Sequence, residues 1–257
     1  MSTTEKNKLF INNLELAEVH PLLRNLDFTN TEGTIFLEEE TAKPGASIVG
    51  DTIIAFTANV SGQSRNDLKN AVCLAQAAAM KKYDRFTDTE NFFRFYTDVL
   101  SKIGFVIQGF DFTKQEISGS SFTVDKVVID ILRAYATNDE IALVEATLKA
   151  LENLSDDNDI FKLFSTHSHS ATNSNFLLGV ASQADNGDVA FKIGAFMLNS
   201  EQNNKRFLWF SFSTSETNLF RSTQSVMLNE DIYSTVRSDI IGKLGDLAKS
   251  TVADLEI

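Results

Sequence analysis

The chain has 257 residues, 43% hydrophobic and 23% charged, with 35 acidic against 23 basic side chains and a net charge of −12. These are globular values that exclude extensive disorder, at a length suited to one large domain or two small ones. The negative balance argues against a nucleic-acid partner, which needs a basic patch, and against electrostatic attachment to anionic lipid, though not against apolar insertion.

A single cysteine, Cys73, excludes an intramolecular disulfide and a cysteine-based zinc site. The 21 phenylalanines predict an aromatic core, and only two prolines predict long regular elements. The N-terminus lacks the apolar segment of a secretory signal. The longest apolar run, residues 71–80, is about half of the ~20 residues that a membrane-spanning helix needs. The expectation is a soluble product, cytoplasmic as synthesised, with leaderless export left open.

In chain order, residues 1–8 read as a flexible tail and residues 9–36 as short strands or a turn of helix around Pro21. Residues 34–40 and 47–60 read as strands separated by Lys43-Pro44-Gly45, with Ile54, Phe56, Ala58 and Val60 on one face. Residues 64–83 predict a central helix: Ser64 is a candidate N-cap, Asp67 lies in the first turn, and the middle is apolar nearly all round. A second helix over 88–103 is striped by Phe92, Tyr96, Val99 and Ile103 and stopped by Gly104. Residues 105–112 read as a strand. Helices follow over 123–136, striped by Val124, Val128, Ile131 and Leu132, and over 138–154, striped by Ile141, Val144, Leu148 and Leu151. Residues 154–175 look least ordered.

The chain is organised around residues 174–229, which read as strands over 176–184, 189–199, 206–214 and 219–228. Asp185-Asn-Gly-Asp188 joins the first two, a strong hairpin signal because Asn and Gly tolerate positive φ. The 206–214 run, which holds Trp209, is apolar on both faces and is expected at the centre of the sheet; 219–228 suits an edge. Residues 230–255 predict a long final helix, in which Gly242 and Gly245 mark a close contact or a bend. The fold class is α+β: an antiparallel β-meander over about 174–228, with N-terminal strands, packed by four or five helices in a single domain, 1–257. The aromatic strands are expected to share one interior with the alanine-lined helix.

Candidate sites are few. His167 and His169 would share a face of an extended segment and could hold a metal, but spacing supplies no third ligand, and the only other histidine is His20. Asp156, Asp157 and Asp159 offer oxygen ligands for calcium, but Phe161 and His167 stand where an EF-hand loop requires glycine and glutamate. Ser118-Gly119-Ser120-Ser121 before a helix could bind an anion, without the lysine of a phosphate loop. Cys73 sits mid-helix among alanines as a small hydrophobe, or carries a lipid if its helix lines a cavity. No catalytic residue, cofactor or metal is assigned.

Three phrases occur together: Val99-Leu-Ser-Lys-Ile-Gly-Phe-Val-Ile-Gln-Gly-Phe110, Ser118-Gly-Ser-Ser-Phe-Thr-Val-Asp-Lys-Val-Val128 and Arg206-Phe-Leu-Trp-Phe-Ser-Phe212. They resemble a set of uncharacterised bacterial and fungal proteins, overlapping those similar to the Erwinia virulence factor (Evf), an α/β protein lipid-modified on a cysteine. That cysteine's motif does not match Cys73, so no residue is carried over. The resemblance implies a non-enzymatic virulence- or toxin-like protein that binds a host component, lipid or membrane. The alternatives are a structural, self-associating protein and an enzyme whose site is assembled from scattered residues. Candidate partners are therefore a lipid, a membrane, a protein or a second copy of the chain.

Overall fold

The structure, a computed structural model, describes residues 2–28, 43–184, 187–202 and 204–257. Helix α1 (Thr3–Asn13) starts at a capping box in which Ser2 and Glu5 bond each other's backbone N–H, so the expected tail at 1–8 is mostly helix. The strand expected at 34–40 lies outside the described residues. The single strand expected over 47–60 is two, β1 (Gly45–Val49) and β2 (Thr52–Phe56), folded into a hairpin at Gly50, whose φ of 53° suits glycine. Helix α2 (Gly62–Lys82) is capped by Ser61 rather than Ser64, and α3 (Thr89–Lys102) follows as expected. Of the strand expected over 105–112 only β3 (Phe105–Val106) forms, with β4 (Thr113–Lys114) and β5 (Ser121–Phe122) beyond it.

Helices α4 (Val124–Leu132) and α5 (Asn138–Asn153) agree with their apolar stripes. The stretch that looked least ordered contains α6 (Asp159–Ser168), nucleated by the Asn158 side chain, which accepts from the N–H groups of Ile160 and Phe161. Strands β6 (Asn173–Gln183), β7 (Val189–Ser200), β8 (Phe212–Ser213) and β9 (Thr217–Leu228) come next. The long final helix is shortened to α7 (Glu230–Leu244). It ends at Gly245, φ 49°, and a 3-10 turn leads into strand β10 (Val252–Leu255).

The main sheet runs β10-β1-β2-β6-β7-β9-β3, with β4 also on β9; every pairing is antiparallel except β2 with β6. The class is α+β, as composition and pattern implied. Helices cover both faces. α1, α2, α3 and α7 bury Phe191, Ile193, Ala195 and Val226 on one face. α4, α5 and α6 bury Phe176, Phe196, Leu198 and Leu219 on the other. The alanine-lined helix α2 thus shares its interior with only one face of the meander.

Residues 206–214 are not a central strand. β9 takes the place beside β7, and β8 alone remains extended, paired with β5 in a separate two-stranded sheet. The cause is Arg206. Its guanidinium reaches the C-terminal carbonyls of α5, Glu152 O at 3.0 Å and Leu154 O at 2.5 Å, and the Asp156 carboxylate at 2.6 Å. The turn closes with Trp209 and Phe210 N–H on Arg206 O, and it drives Phe207 between Phe164 and Phe176. Apolar residues at both parities, which looked like a two-sided strand, instead plug the second core.

Among the ion pairs that fasten helices to their neighbours, two reach buried carboxylates. Arg237 of α7 bonds both carboxylate oxygens of Asp67 in α2 (2.9 and 2.7 Å), and Tyr233 donates to Asp67 O. The bond to Asp67 and burial act oppositely on Arg237, and the net effect raises its pKa. Across the sheet, Lys192 of β7 donates to Glu140 of α5 at 2.6 Å; burial raises that carboxyl, but the lysine outweighs it and holds it below the usual range.

Candidate functional site

The longest strand pairings among the described residues are those of the β6-β7-β9 sheet. β6 and β7 pair over eleven consecutive positions and β7 and β9 over twelve. On the face under α2, β6 and β7 present Leu177, Ala181, Phe191, Ile193 and Ala195, all buried. The opposite face is apolar near Phe176, Leu178, Phe196 and Leu198 but carries Lys192 and Arg221 as well.

The residues singled out from sequence do not come together. His167 closes the last turn of α6 and His169 is its C-cap, so helical rotation of about 100° per residue turns the rings apart. The extended geometry that would have aligned them is absent: the His167 Nδ1 bonds Leu163 O at 3.0 Å, while the His169 Nδ1 bonds Ser174 Oγ at 2.9 Å and its ring stacks on Phe207. His169 and His167 therefore do not share a metal position, and among the described residues no group of three or more His, Cys, Asp or Glu could hold one. Asp156 accepts from Lys205 and Arg206, which hold its carboxyl below the usual range. Gly119 and Ser120 offer carbonyls to Thr214, which ties their turn to β8.

Cys73 is fully buried among the residues of the first core, and burial pushes its thiol up to about 12, far from the thiolate needed for reaction. Among the described residues, Cys73 lines none of three surface clefts. Two of these are open grooves. One, of about 590 Å³, lies between α4 and residues 115–123; the other, of about 660 Å³, lies between residues 16–27 and the end of α7.

The sequence reading missed a buried polar joint at one end of the sheet. Asp51, wholly buried in the β1-β2 turn, pairs with the Arg85 guanidinium from the segment between α2 and α3. Beyond that pair, Arg85 Nε and Nη1 have no hydrogen-bond partner among the described residues; the cation lies over the Phe92 ring, 4.9 Å from its centroid. Burial draws Arg85 down to about 9, with Tyr96 opposing, so the guanidinium is charged at neutral pH. Gln76 of α2 donates to Val49 O (2.9 Å) and Thr52 Oγ1 (2.7 Å), leaving its Oε1 without a partner among the described residues. Asn175 of β6 donates to Arg85 O at 2.5 Å. The His167 ring lies beside Gly50, and burial first, then Arg85 and His20, lower its pKa to about 4 against the opposing bond to Leu163. A chamber of about 20 Å³, room for one water, opens beside Gln76 and His167. Only the Gly50-Asp51 dipeptide between two apolar runs hinted at this place.

No family model matches the chain, and no curated protein matches it in sequence. Among solved structures it is similar to a delta-endotoxin, with 14% identity and a TM-score of 0.41 over 76% of this chain and 86% of that one. It is similar also to the Evf virulence factor, with 13% identity and a TM-score of 0.37 over 95% and 89% of the two chains. A third is the activated Cyt2Ba monomer from Bacillus thuringiensis subsp. israelensis, with 11% identity and a TM-score of 0.36 over 69% and 96%. The chain thus bears a weak structural resemblance to the Evf virulence factor and to delta-endotoxin proteins.

Proposed function

We propose that this chain is a non-enzymatic, toxin-like protein whose target is a lipid membrane, engaged by the β6-β7-β9 sheet. The observation that carries the reading is strand length. Strands of 11, 12 and 12 residues in unbroken antiparallel register are about twice the usual globular strand. At about 3.4 Å per residue they reach about 37–41 Å, and 9–11 tilted residues already cross the ~30 Å bilayer core. The face under α2 is apolar from Leu177 to Ala181 on β6 and from Val189 to Ala195 on β7, the kind of surface that a lipid-facing strand pair requires. No helix among the described residues is long and apolar enough to cross a membrane, so the helices act in this reading as a cover that is displaced.

The test is dye release from phosphatidylcholine vesicles, with and without anionic lipid, alongside co-flotation of the protein. Release together with flotation supports the reading. Intact vesicles and unbound protein at every composition, at neutral and acid pH, would overturn it.

A further inference from the structure

We propose that the joint where the Gly50-Asp51 turn, Arg85, Gln76 and His167 meet is an acid-operated latch fastening the helices to the end of the sheet. It deepens the membrane reading and rests on it for its use, but its mechanics can be tested without lipid.

Six parts of the fold converge there. The β1-β2 turn brings Asp51, and α2 brings Gln76, bonded to Val49 O and Thr52 Oγ1. The segment before α3 brings Arg85, whose carbonyl accepts from Asn175 of β6. The end of α6 brings His167, while Gly50 N–H is held by Thr251 O just before β10. Helices from both faces of the sheet therefore meet at one polar point, α2 through the Gln76 bonds and α6 through the His167 ring beside Gly50. Opening it loosens the end of α6 on one side and the α2-α3 connection on the other.

The charges are arranged so that protons cut it. At neutral pH the pair is balanced and His167 is neutral, with Nδ1–H donating to Leu163 O and Nε2 free to take a proton. The titratable or charged groups around it are Asp51 and Arg85, Tyr96 from α3, and Glu18 and His20 lining the chamber. The elements α2, β6 and β10 contribute only neutral Gln76, Asn175 and, beside β10, Thr251. Protonating His167 adds a buried cation near Arg85 and His20. It meets a guanidinium that is itself buried and whose Nε and Nη1 have no acceptor among the described residues.

The experiment is amide hydrogen exchange on the full chain, without lipid, from about pH 7.5 to about pH 4, corrected for intrinsic exchange. We expect exchange in residues 84–89, the end of α6 and the β2-β6 junction to rise about tenfold or more as the joint opens. His167→Asn, which keeps a donor for Leu163 O but does not titrate, should move that opening to lower pH by about one unit. His20→Gln, at an exposed position, should move it less. NMR titration of His167 in the unaltered chain guards against a variant that fails to fold. Ordinary titration near pH 6.5 with no change in exchange at the joint would overturn the latch. So would identical opening in His167→Asn. Opening in acid while vesicles stay sealed keeps the latch and removes the membrane reading; vesicle leakage equal in both proteins at every pH does the reverse.

Discussion

The Asp51–Arg85 pair gives the most direct test of how this core is held. Asp51→Asn leaves Arg85 almost fully buried with no carboxylate, and nothing else among the described residues accepts from Nε or Nη1. Removing one member of such a pair costs about 3–5 kcal/mol. Arg85→Met leaves Asp51 wholly buried, with Thr52 Oγ1 at 3.1 Å as its remaining partner, and should cost a similar amount. The double variant Asp51→Asn/Arg85→Met is different in kind. Asparagine keeps an acceptor for Thr52, and the methionine chain covers the Phe92 ring where the guanidinium lay. What is lost is a cation–π contact of roughly 0.5–2 kcal/mol, so the double variant should cost about 2 kcal/mol or less. Urea denaturation at neutral pH, followed by the fluorescence of Trp209 and by circular dichroism, measures all four proteins. The coupling should be at least about 3 kcal/mol. Additive effects, or single variants costing under about 1 kcal/mol, would refute the claim that this pair is desolvated and mutually dependent.

His167 should make stability fall in acid. Its folded pKa, about 4, lies below the ordinary 6.5, so between those values the unfolded chain binds a proton that the folded chain does not. Stability is therefore lost as pH drops through that window, by about 3 kcal/mol, and His167→Asn should remove that slope in urea midpoints at pH 7 and pH 4. Cys73 should resist a thiol reagent in the folded chain and react stoichiometrically in urea; rapid labelling under native conditions would contradict its burial. Gly50→Ala places a Cβ against Gln76 Oε1 at a φ of 53°, and thermal or urea unfolding should show a loss of about 2–3 kcal/mol; a loss under about 0.5 kcal/mol would mean that the turn and Gln76 are not locked together.

Periodicity revealed the parts whose burial is regular. The alanine run of α2, the Phe92/Tyr96/Val99 stripe of α3 and the alternation of β6 and β7 are each visible because one period dominates the window. It failed where a few strong contacts outweigh the period. Arg206 turns a strand-like sequence into a plug by satisfying the carbonyl end of α5. Polar flanks concealed α6, although Asn158 followed by Phe161 and Phe164 was a cap and a stripe in plain view. Ser2 and Glu5 were likewise a capping box in a stretch dismissed as a tail. At the other end, Gly245 stopped α7 early, and Val252–Leu255 was too short for its alternation to stand out. The buried joint had no linear signature. Asp51, Gln76, Arg85 and His167 come from separate elements, and each alone is an ordinary residue.

The two kinds of fastening divide the labour of the helical cover. Asp67 and Arg237 bind α2 to α7 through a bidentate contact that deepens the arginine's charge, and Tyr233 closes the same point from within α7. No histidine stands at that contact, so the proposed latch places the acid-sensitive event at the other end of α2, where Gln76 meets the β1-β2 turn and where His167 and Arg85 stand near each other. Lys69 of α2 also pairs with Asp254 of β10 at 3.1 Å, and Gln183 of β6 bonds Ser61 and Ser64 at the start of α2, so opening the joint alone would loosen one end of the cover rather than release it whole. The twelve β7-β9 pairs do not pass through the joint, and among the β6-β7 pairs that of Asn175 with Met197 borders it.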